Sequence, residues 1–378
     1  MKKILLFIDW FEPGYKAGGP IRSCVNFVRS MHRHYKIYVF TSDRDLGSTD
    51  AYPDIPVDRW IAGQDQVELF YCSPENLRWS TIRRELDSIR PDFLYLNSMF
   101  SLHFTIYPML INRRRRNPAR VILAPRGMLK STAVQFRPLK KKIFLKSWRW
   151  LGLHRPIHFH ASDNTEVNDT HRYFGTRVRV TQIPNFPSIF PERDRPLEKK
   201  PGELSIIFVG RVHPIKNLDY LLNALKGLPD CLRLTIIGSL EDKPFWEKCQ
   251  QIITELPPTT RVVYAGEKPH YELPPIIGEH HIFALPTQGE NFGHAIFEAF
   301  ALGKPVLISD QTPWRNLEKS GVGWDLPLDR PDLFRQAIRT AASFSQNEYD
   351  KWSRSARRYS QDYIEKMNLA DDYCTLFS

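Results

Sequence analysis

Two carboxylates stand eight residues apart in "TQGENFGHAIFEAFALGKPVLISD", residues 287–310: Glu290 and Glu298. Glu290 sits in a turn-like neighbourhood with Gly289, Asn291, Phe292 and Gly293, and Glu298 lies in an apolar run of helical spacing. That separation is a little over two turns of helix, which puts both acids on roughly one side. The first amides of a helix have no partner within it, so those near Gly293 can receive phosphate oxygens. A carboxylate further along can accept both hydroxyls of a ribose, as acidic residues do in dinucleotide folds. A pair of solvated charges on a packed helix is the competing reading, and this spacing alone does not exclude it.

The second constellation is "FVGRVHPIKN", residues 208–217. A buried strand leaves through Gly210, and Arg211 and Lys216 follow in the loop before the next helix. Arg offers a bidentate fork and Lys a mobile point charge, so two cations at a strand C-terminus can clamp a diphosphate. Surface charge on a connecting loop is the alternative. Nearer the N-terminus, "EPGYKAGGPIRSCVNF" (12–27) sets Gly18 and Gly19 between the first strand and a helix. Glycine there lets a ligand approach the backbone closely, and it equally suits a plain turn. "YLNSMFS" (95–101) ends a strand with Asn97 and Ser98, and "FHASDNTEV" (159–167) ends another with His160, Ser162 and Asp163. His160 fits a satisfied structural histidine better than a catalytic one.

These loops need strands to carry them. Short apolar runs recur at 3–9, 36–42, 93–98, 120–125 and 157–162, with helix-like stretches at 20–33 and 78–89 and a last short strand within 178–186. Residues 186–203 are rich in proline and charge, a linker composition. The pattern then restarts with strands at 204–210, 232–238, 261–266, 281–286 and 305–310 and helices at 217–227, 244–255 and 293–302. Strands alternating with helices predict an α/β chain: two Rossmann-like, doubly wound parallel-sheet domains. Facing halves of this kind leave a cleft at their strand C-terminal ends, where ligands of open α/β sheets bind. The expected division is 1–190, a linker at 191–203, 204–355, and a C-terminal helix over 356–378.

"GRVHPIKN" followed by "PTQGENFGHAIFEAFALGKPVLISD" closely resembles the retaining family-four glycosyltransferases of the GT-B type, whose hallmark is Glu, seven residues, Glu. The resemblance is specific in the C-terminal half. In the N-terminal half it extends to the organisation and a few loops. It implies transfer of a sugar from a nucleotide-diphosphate sugar to an acceptor hydroxyl, with retention and no other cofactor. Arg211 and Lys216 would then hold the diphosphate, Glu290 the donor sugar and Glu298 the ribose. Gly210, Asn291, Phe292, Gly293, Gly18 and Gly19 would complete the donor site. Arg211, Lys216 and the amides near Gly293 would take up the leaving-group charge, so no metal is required, and no Asp-x-Asp stands at a strand end. "ILAPRGML" (122–129) is similar to the "SPRGML" segment of bacterial polysaccharide-assembling members. Many relatives carry a histidine near here. This chain has Arg126, which puts a histidine-based role in doubt and makes Arg126 a candidate catalytic contact for sugar or phosphate. Asn97, Ser98 and His160 would lie on the acceptor side, in the N-terminal domain, and the last helix would cross back to that domain.

The whole chain has 378 residues, 42% hydrophobic and 25% charged, which suits a globular protein of two domains. Its net charge of +11 points to anionic partners: nucleic acid, an anionic membrane or phosphorylated ligands. The charge is concentrated. Between Asp92 and Asp163 there is no acidic residue and there are fourteen Lys and Arg, with Phe136, Phe144, Trp148 and Trp150 interleaved. Residues 138–151 read as a basic amphipathic helix, so the stretch 113–150 is a candidate anionic membrane surface with aromatics at headgroup depth. A solvated face over a packed side is the alternative, and no DNA- or RNA-recognition motif accompanies it. Five scattered cysteines without a CxxC pair argue against a disulfide framework or zinc site and fit a reduced cytoplasm. The apolar start meets Asp9 and Glu12 early and reads as a strand, not a leader. No apolar run reaches the roughly 18 residues of a spanning helix. The expected place is thus the cytoplasm, with peripheral attachment to the cytoplasmic face of the inner membrane as an option. The resemblance points to lipopolysaccharide, O-antigen or exopolysaccharide synthesis. A nucleotide-sugar epimerase on the same scaffold, or a non-enzymatic basic membrane- or nucleic-acid-binding protein, are the rivals. The paired acids and paired cations disfavour both.

Overall fold

"KILLF" forms the first strand, β1 (Lys3–Phe7), and Ile4 to Phe7 are all fully buried. An unbroken apolar run of this kind belongs in a parallel sheet covered on both faces. The computed structural model describes residues 1–130, 138–190 and 197–378. Phe136 and part of the expected linker lie outside the described residues. The chain divides into two units, Met1–Phe186 with Asn368–Ser378, and Pro187–Met367.

The first unit holds an eight-stranded sheet. Its strands after β1 are β2 (Lys36–Ser42), β3 (Trp60–Ala62), β4 (Glu68–Cys72), β5 (Phe93–Leu96), β6 (Arg120–Leu123), β7 (Ile157–Ala161) and β8 (Arg179–Gln182). Their order is β3-β4-β2-β1-β5-β6-β7-β8, parallel except for the antiparallel β3–β4 pair. Neither β3 nor β4 was expected from the sequence: β3 has three residues, while β4 carries the short apolar run Leu69–Cys72, with Phe70, Tyr71 and Cys72 buried. Helices α1 (Gly19–Met31), α2 (Trp79–Ile89), α3 (Tyr107–Arg113), α4 (Pro138–Trp150) and α5 (Asn164–Phe174) make the crossovers.

The second unit holds β9 (Glu203–Val209), α6 (Leu218–Leu225), β10 (Cys231–Ile237), α7 (Lys243–Thr254), β11 (Thr260–Tyr264), α8 (Leu273–Gly278), β12 (Ile282–Leu285), α9 (His294–Ala301), β13 (Val306–Ser309), β14 (Gly323–Leu326), α10 (Pro331–Ser343) and α11 (Gln346–Lys366). The six strands run in the order β11-β10-β9-β12-β13-β14, all parallel. Gly238, just past β10, has to be glycine: a Cβ there would come 1.9 Å from the Gly210 carbonyl oxygen.

The C-terminal stretch is two helices. Met367, between α11 and α12 (Leu369–Leu376), is extended at φ −96° and ψ 113°. Each helix has its own core to serve. Ala356 and Tyr349 of α11 are buried in the second unit. In the first, the Tyr373 ring of α12 stacks on Phe186 at 4.7 Å and Phe377 packs on Phe93 and Tyr95. The units accordingly part at Phe186/Pro187 and Met367/Asn368, not at 190 and 356.

In α4, Leu145 and Trp148 are buried, and Phe144 packs on Phe100 and Trp148. Two of the aromatics expected at headgroup depth therefore serve the core. The outward residues are Leu139, Ile143 and Trp150, followed by Leu151, with Trp150 86% exposed. Among the described residues no helix is long and apolar enough to cross a membrane.

Candidate functional site

In open parallel sheets the ligand crevice forms where strand order reverses, at the carboxyl ends of two neighbouring strands with opposite crossovers. In the second unit those strands are β9 and β12, which pair in parallel. The loop after β9 carries Arg211 and Lys216, and the loop after β12 carries Glu290. Backbone and side-chain bonds tie the two loops together. The Gln288 amide donates to the Ile215 carbonyl at 2.8 Å, the Thr287 hydroxyl to the same carbonyl at 3.1 Å, and the Gln288 side chain to Asn217 at 3.0 Å. His213 caps the short turn before Lys216 by accepting from the Ile215 amide.

The result is a direct ion pair between Lys216 Nζ and Glu290 Oε1, with side chains 15% and 16% exposed. Arg211 forms a two-pronged pair with Glu241, at 2.8 and 2.7 Å, on a more exposed edge. Sequence reasoning put Arg211 and Lys216 on one ligand. The structure gives each its own carboxylate. Gly293 precedes α9 in the left-handed region, at φ 75° and ψ 62°. Its carbonyl accepts from the Ile296 and Phe297 amides. Asn291 lies between Glu290 and Phe292, whose ring is buried against Trp314 and whose carbonyl accepts from Trp314 Nε1 at 2.7 Å.

Glu298 lies on α9 and is 2% exposed. Its Oε1 accepts from His270 Nε2 at 2.7 Å and from the Ser188 hydroxyl at 2.8 Å. Burial pushes the carboxyl up. The bond and charge of His270, the charge of His294 and the Ser188 hydroxyl outweigh it and leave the group below the ordinary glutamate value. Sequence reasoning missed His270 and Ser188. Neither sits in a motif, and Ser188 is 110 positions from its partner.

The first unit has its own reversal, at β1 and β5. Asp9, after β1, accepts from Ser101, after β5, at 2.8 Å. Gly18 is left-handed at φ 67° with no heavy atom within 4 Å of a Cβ position, and Gly19 opens α1. Asp45 holds the loop by accepting from the Tyr15 and Lys16 amides. Ser98 is buried with its hydroxyl on Met128 sulfur at 3.6 Å.

Arg126 is half-buried and its guanidinium is committed to protein partners. It donates to Asn97 Oδ1 at 3.1 and 2.7 Å, to Asn185, and to the Tyr95 hydroxyl at 2.9 Å. Burial works to lower its pKa, but the fields of Tyr95, Cys24, Tyr373 and Glu166 carry it above the ordinary value. Tyr95 also bonds His160 Nδ1 at 2.8 Å, and His160 Nε2 reaches the Ile183 carbonyl at 2.8 Å. A carbonyl only accepts, so Nε2 carries the proton and Tyr95 donates to Nδ1. Burial, then Arg126, lowers the His160 pKa to about 3, so it stays neutral. Asn97 and His160, expected on the acceptor side, are thus tied into this bracket. Glu166 was not foreseen: it joins two loops by accepting from the Gly127 amide at 2.6 Å and from Ser162 at 2.7 and 2.9 Å.

Residues 190–359 match the family of glycosyl transferases group 1. Over 182 residues, 48% of each chain, the sequence is 25% identical to an uncharacterized 41.2 kDa protein in the cps region of Klebsiella pneumoniae. The chain spans about half or less of the length of the curated relatives it matches. Among solved structures, WaaG, a glycosyltransferase involved in lipopolysaccharide biosynthesis, aligns over 99% of this chain and 98% of its own with a TM-score of 0.65 and 14% identity. HepE of Anabaena, in complex with UDP-glucose, aligns over 97% of this chain and 100% of its own with a TM-score of 0.62 and 14% identity. Likeness at this identity establishes the two-domain GT-B fold.

Proposed function

We propose, from the match of residues 190–359 to the glycosyl transferases of group 1, that the chain moves a sugar from a nucleoside-diphosphate donor to an acceptor hydroxyl. We assign the reaction retention at the anomeric carbon, independence of metal, and a place in assembling a surface polysaccharide or lipopolysaccharide. The observation that carries this reading is the Lys216–Glu290 pair at the β9/β12 reversal.

A donor diphosphate would exchange for the carboxylates that now hold Lys216 and Arg211. Glu290, released from Lys216, would turn to the hydroxyls of the donor sugar, and Glu298 would take the ribose. As the glycosidic bond breaks, negative charge grows on the departing diphosphate. Lys216, Arg211 and the first amides of α9 would stabilise that charge. The departing phosphate oxygen would assist the acceptor hydroxyl on the same face, so no carboxylate nucleophile is needed. Arg126, held by Asn97, Asn185 and Tyr95, would shape the first unit's loops and not touch phosphate.

The UDP-glucose complex of HepE and the role of WaaG support a nucleotide-sugar donor and a lipopolysaccharide-like acceptor. Leu139, Ile143, Trp150 and Leu151, with Lys140, Lys142, Lys146 and Arg149 beside them, would rest on an anionic bilayer that presents such an acceptor. The peripheral reading keeps the chain on the cytoplasmic side.

The test is incubation with UDP-, GDP- and ADP-sugars, with and without EDTA, followed by NMR of any product's anomeric configuration. Binding or slow hydrolysis of one donor, lost in Lys216→Ala and kept in EDTA, supports the proposal. No response to any of them, with Lys216→Ala behaving like the parent, overturns it. An inverted product overturns the retaining mechanism alone.

A further inference from the structure

The carboxylate of Glu298 presents its two oxygens unequally. Both of its hydrogen bonds, from His270 Nε2 and from the Ser188 hydroxyl, fall on Oε1. A carboxylate oxygen offers two lone-pair sites, so Oε1 is filled. A carboxylate only accepts, which fixes the proton of His270 on Nε2 and the Ser188 hydroxyl as donor. The donors come from separate segments, the start of the second unit and the turn before α8. Phe190 stacks on the His270 ring at 6.1 Å with 26° between planes. Two donors from different directions hold the carboxylate plane against rotation on an otherwise mobile side chain.

We propose that His270 and Ser188 are positioning residues that set the donor site's selectivity for ribose over deoxyribose, by filling Oε1 and leaving Oε2 to accept a vicinal pair of hydroxyls. The inference rests on the glycosyl-transfer reading and deepens it. A diol that meets a carboxylate free to rotate gains less, because the protein must first order the acceptor. A prealigned oxygen avoids that cost. The two segments that hold Glu298 then govern ribose affinity without touching the ligand.

The experiment is a cycle of protein and ligand changes, read by titration calorimetry. UDP, GDP and ADP are tested first on the full chain, and the one that binds is compared with its 2′-deoxy form. The parent is expected to prefer the ribose form by about ten-fold or more, the usual range for a hydrogen bond to a charged acceptor. His270→Ala and Ser188→Ala are expected to weaken the ribose form more than the deoxy form, which keeps only its 3′ hydroxyl on Oε2, and so to narrow the preference between them. His270→Gln, which keeps an N–H donor, is expected to restore part of the preference. In turnover the loss should appear in KM for the donor and not in kcat. Should His270→Ala fail to fold by circular dichroism, Ser188→Ala carries the same comparison. An equal weakening of both ligands, or an unchanged preference in the variants, would overturn the proposal and leave the transferase reading standing. A parent that binds a nucleoside diphosphate without ribose preference would overturn it too. A parent that binds none would overturn the transferase reading itself.

Discussion

Acid should destabilise both units, and the size of the effect follows from four buried histidines. His158 and His160 lie in the first sheet, His280 and His281 just before β12. Burial is the main cause of depression in each, lowering His160 to about 3 and the other three to about 4 from 6.5. The folded values lie below the unfolded ones, so the unfolded chain binds protons first. The stability is fully present above pH 6.5 and is lost as pH falls toward 4 and below. At pH 5.5 the unfolded histidines are mostly charged and the folded ones still neutral. Each then costs about 1.4 kcal/mol, or about 3 kcal/mol for the pair in each unit. That is a large part of the roughly 5–15 kcal/mol that holds a domain together. Urea unfolding at pH 7.5, 6.5 and 5.5, followed by tryptophan fluorescence, measures it. Glu166 and Asp9 oppose the trend, because burial raises their folded pKa values and acid favours the fold there. His160→Gln isolates the histidine term: it should cost some stability at pH 7.5 and lose about 1.4 kcal/mol less than the parent between pH 7.5 and 5.5. An identical pH slope in the variant and the parent would refute the argument.

Lys216→Ala should weaken binding of a nucleoside diphosphate by about ten- to a hundred-fold, the worth of a charge-assisted bond, measured by calorimetry. Gly238→Ala places a methyl 1.9 Å from the Gly210 carbonyl oxygen and should cost about 3 kcal/mol or prevent folding, visible as a lowered thermal midpoint of the second unit. Ile143→Ser with Trp150→Ser should reduce flotation with phosphatidylglycerol vesicles, whereas Trp148→Ser should lower the melting temperature, since only Trp148 is buried. Equal flotation of the double variant and the parent removes the bilayer contact.

The sequence alone determined the α/β alternation, because burial on both faces of a parallel sheet demands short continuous apolar runs such as "KILLF" and "LSIIFV". It also determined that Gly210, Arg211 and Lys216 follow one strand and Glu290 follows another, since strand ends are local. It could not determine that β9 and β12 are neighbours. Pairing is a choice among strands distant in the chain, and only that choice brings Lys216 onto Glu290. The helical period of α4 was legible, yet not which apolar residue faces inward: packing of Phe144 on Phe100 and of Trp148 on Phe174 took both inward and left Trp150 outside. Arg126 was legible as an unusual residue in its loop, while its partners come from two further segments, Tyr95 and Asn97 at the end of β5 and Asn185 after β8. Glu298 was named for its spacing from Glu290. Its acceptor state and orientation rest on Ser188 and His270, which no periodicity marks. Local chemistry follows chain order, and the tertiary structure decides which distant side chains share a charge or a hydrogen bond, because those contacts exist only once the sheets have closed their order.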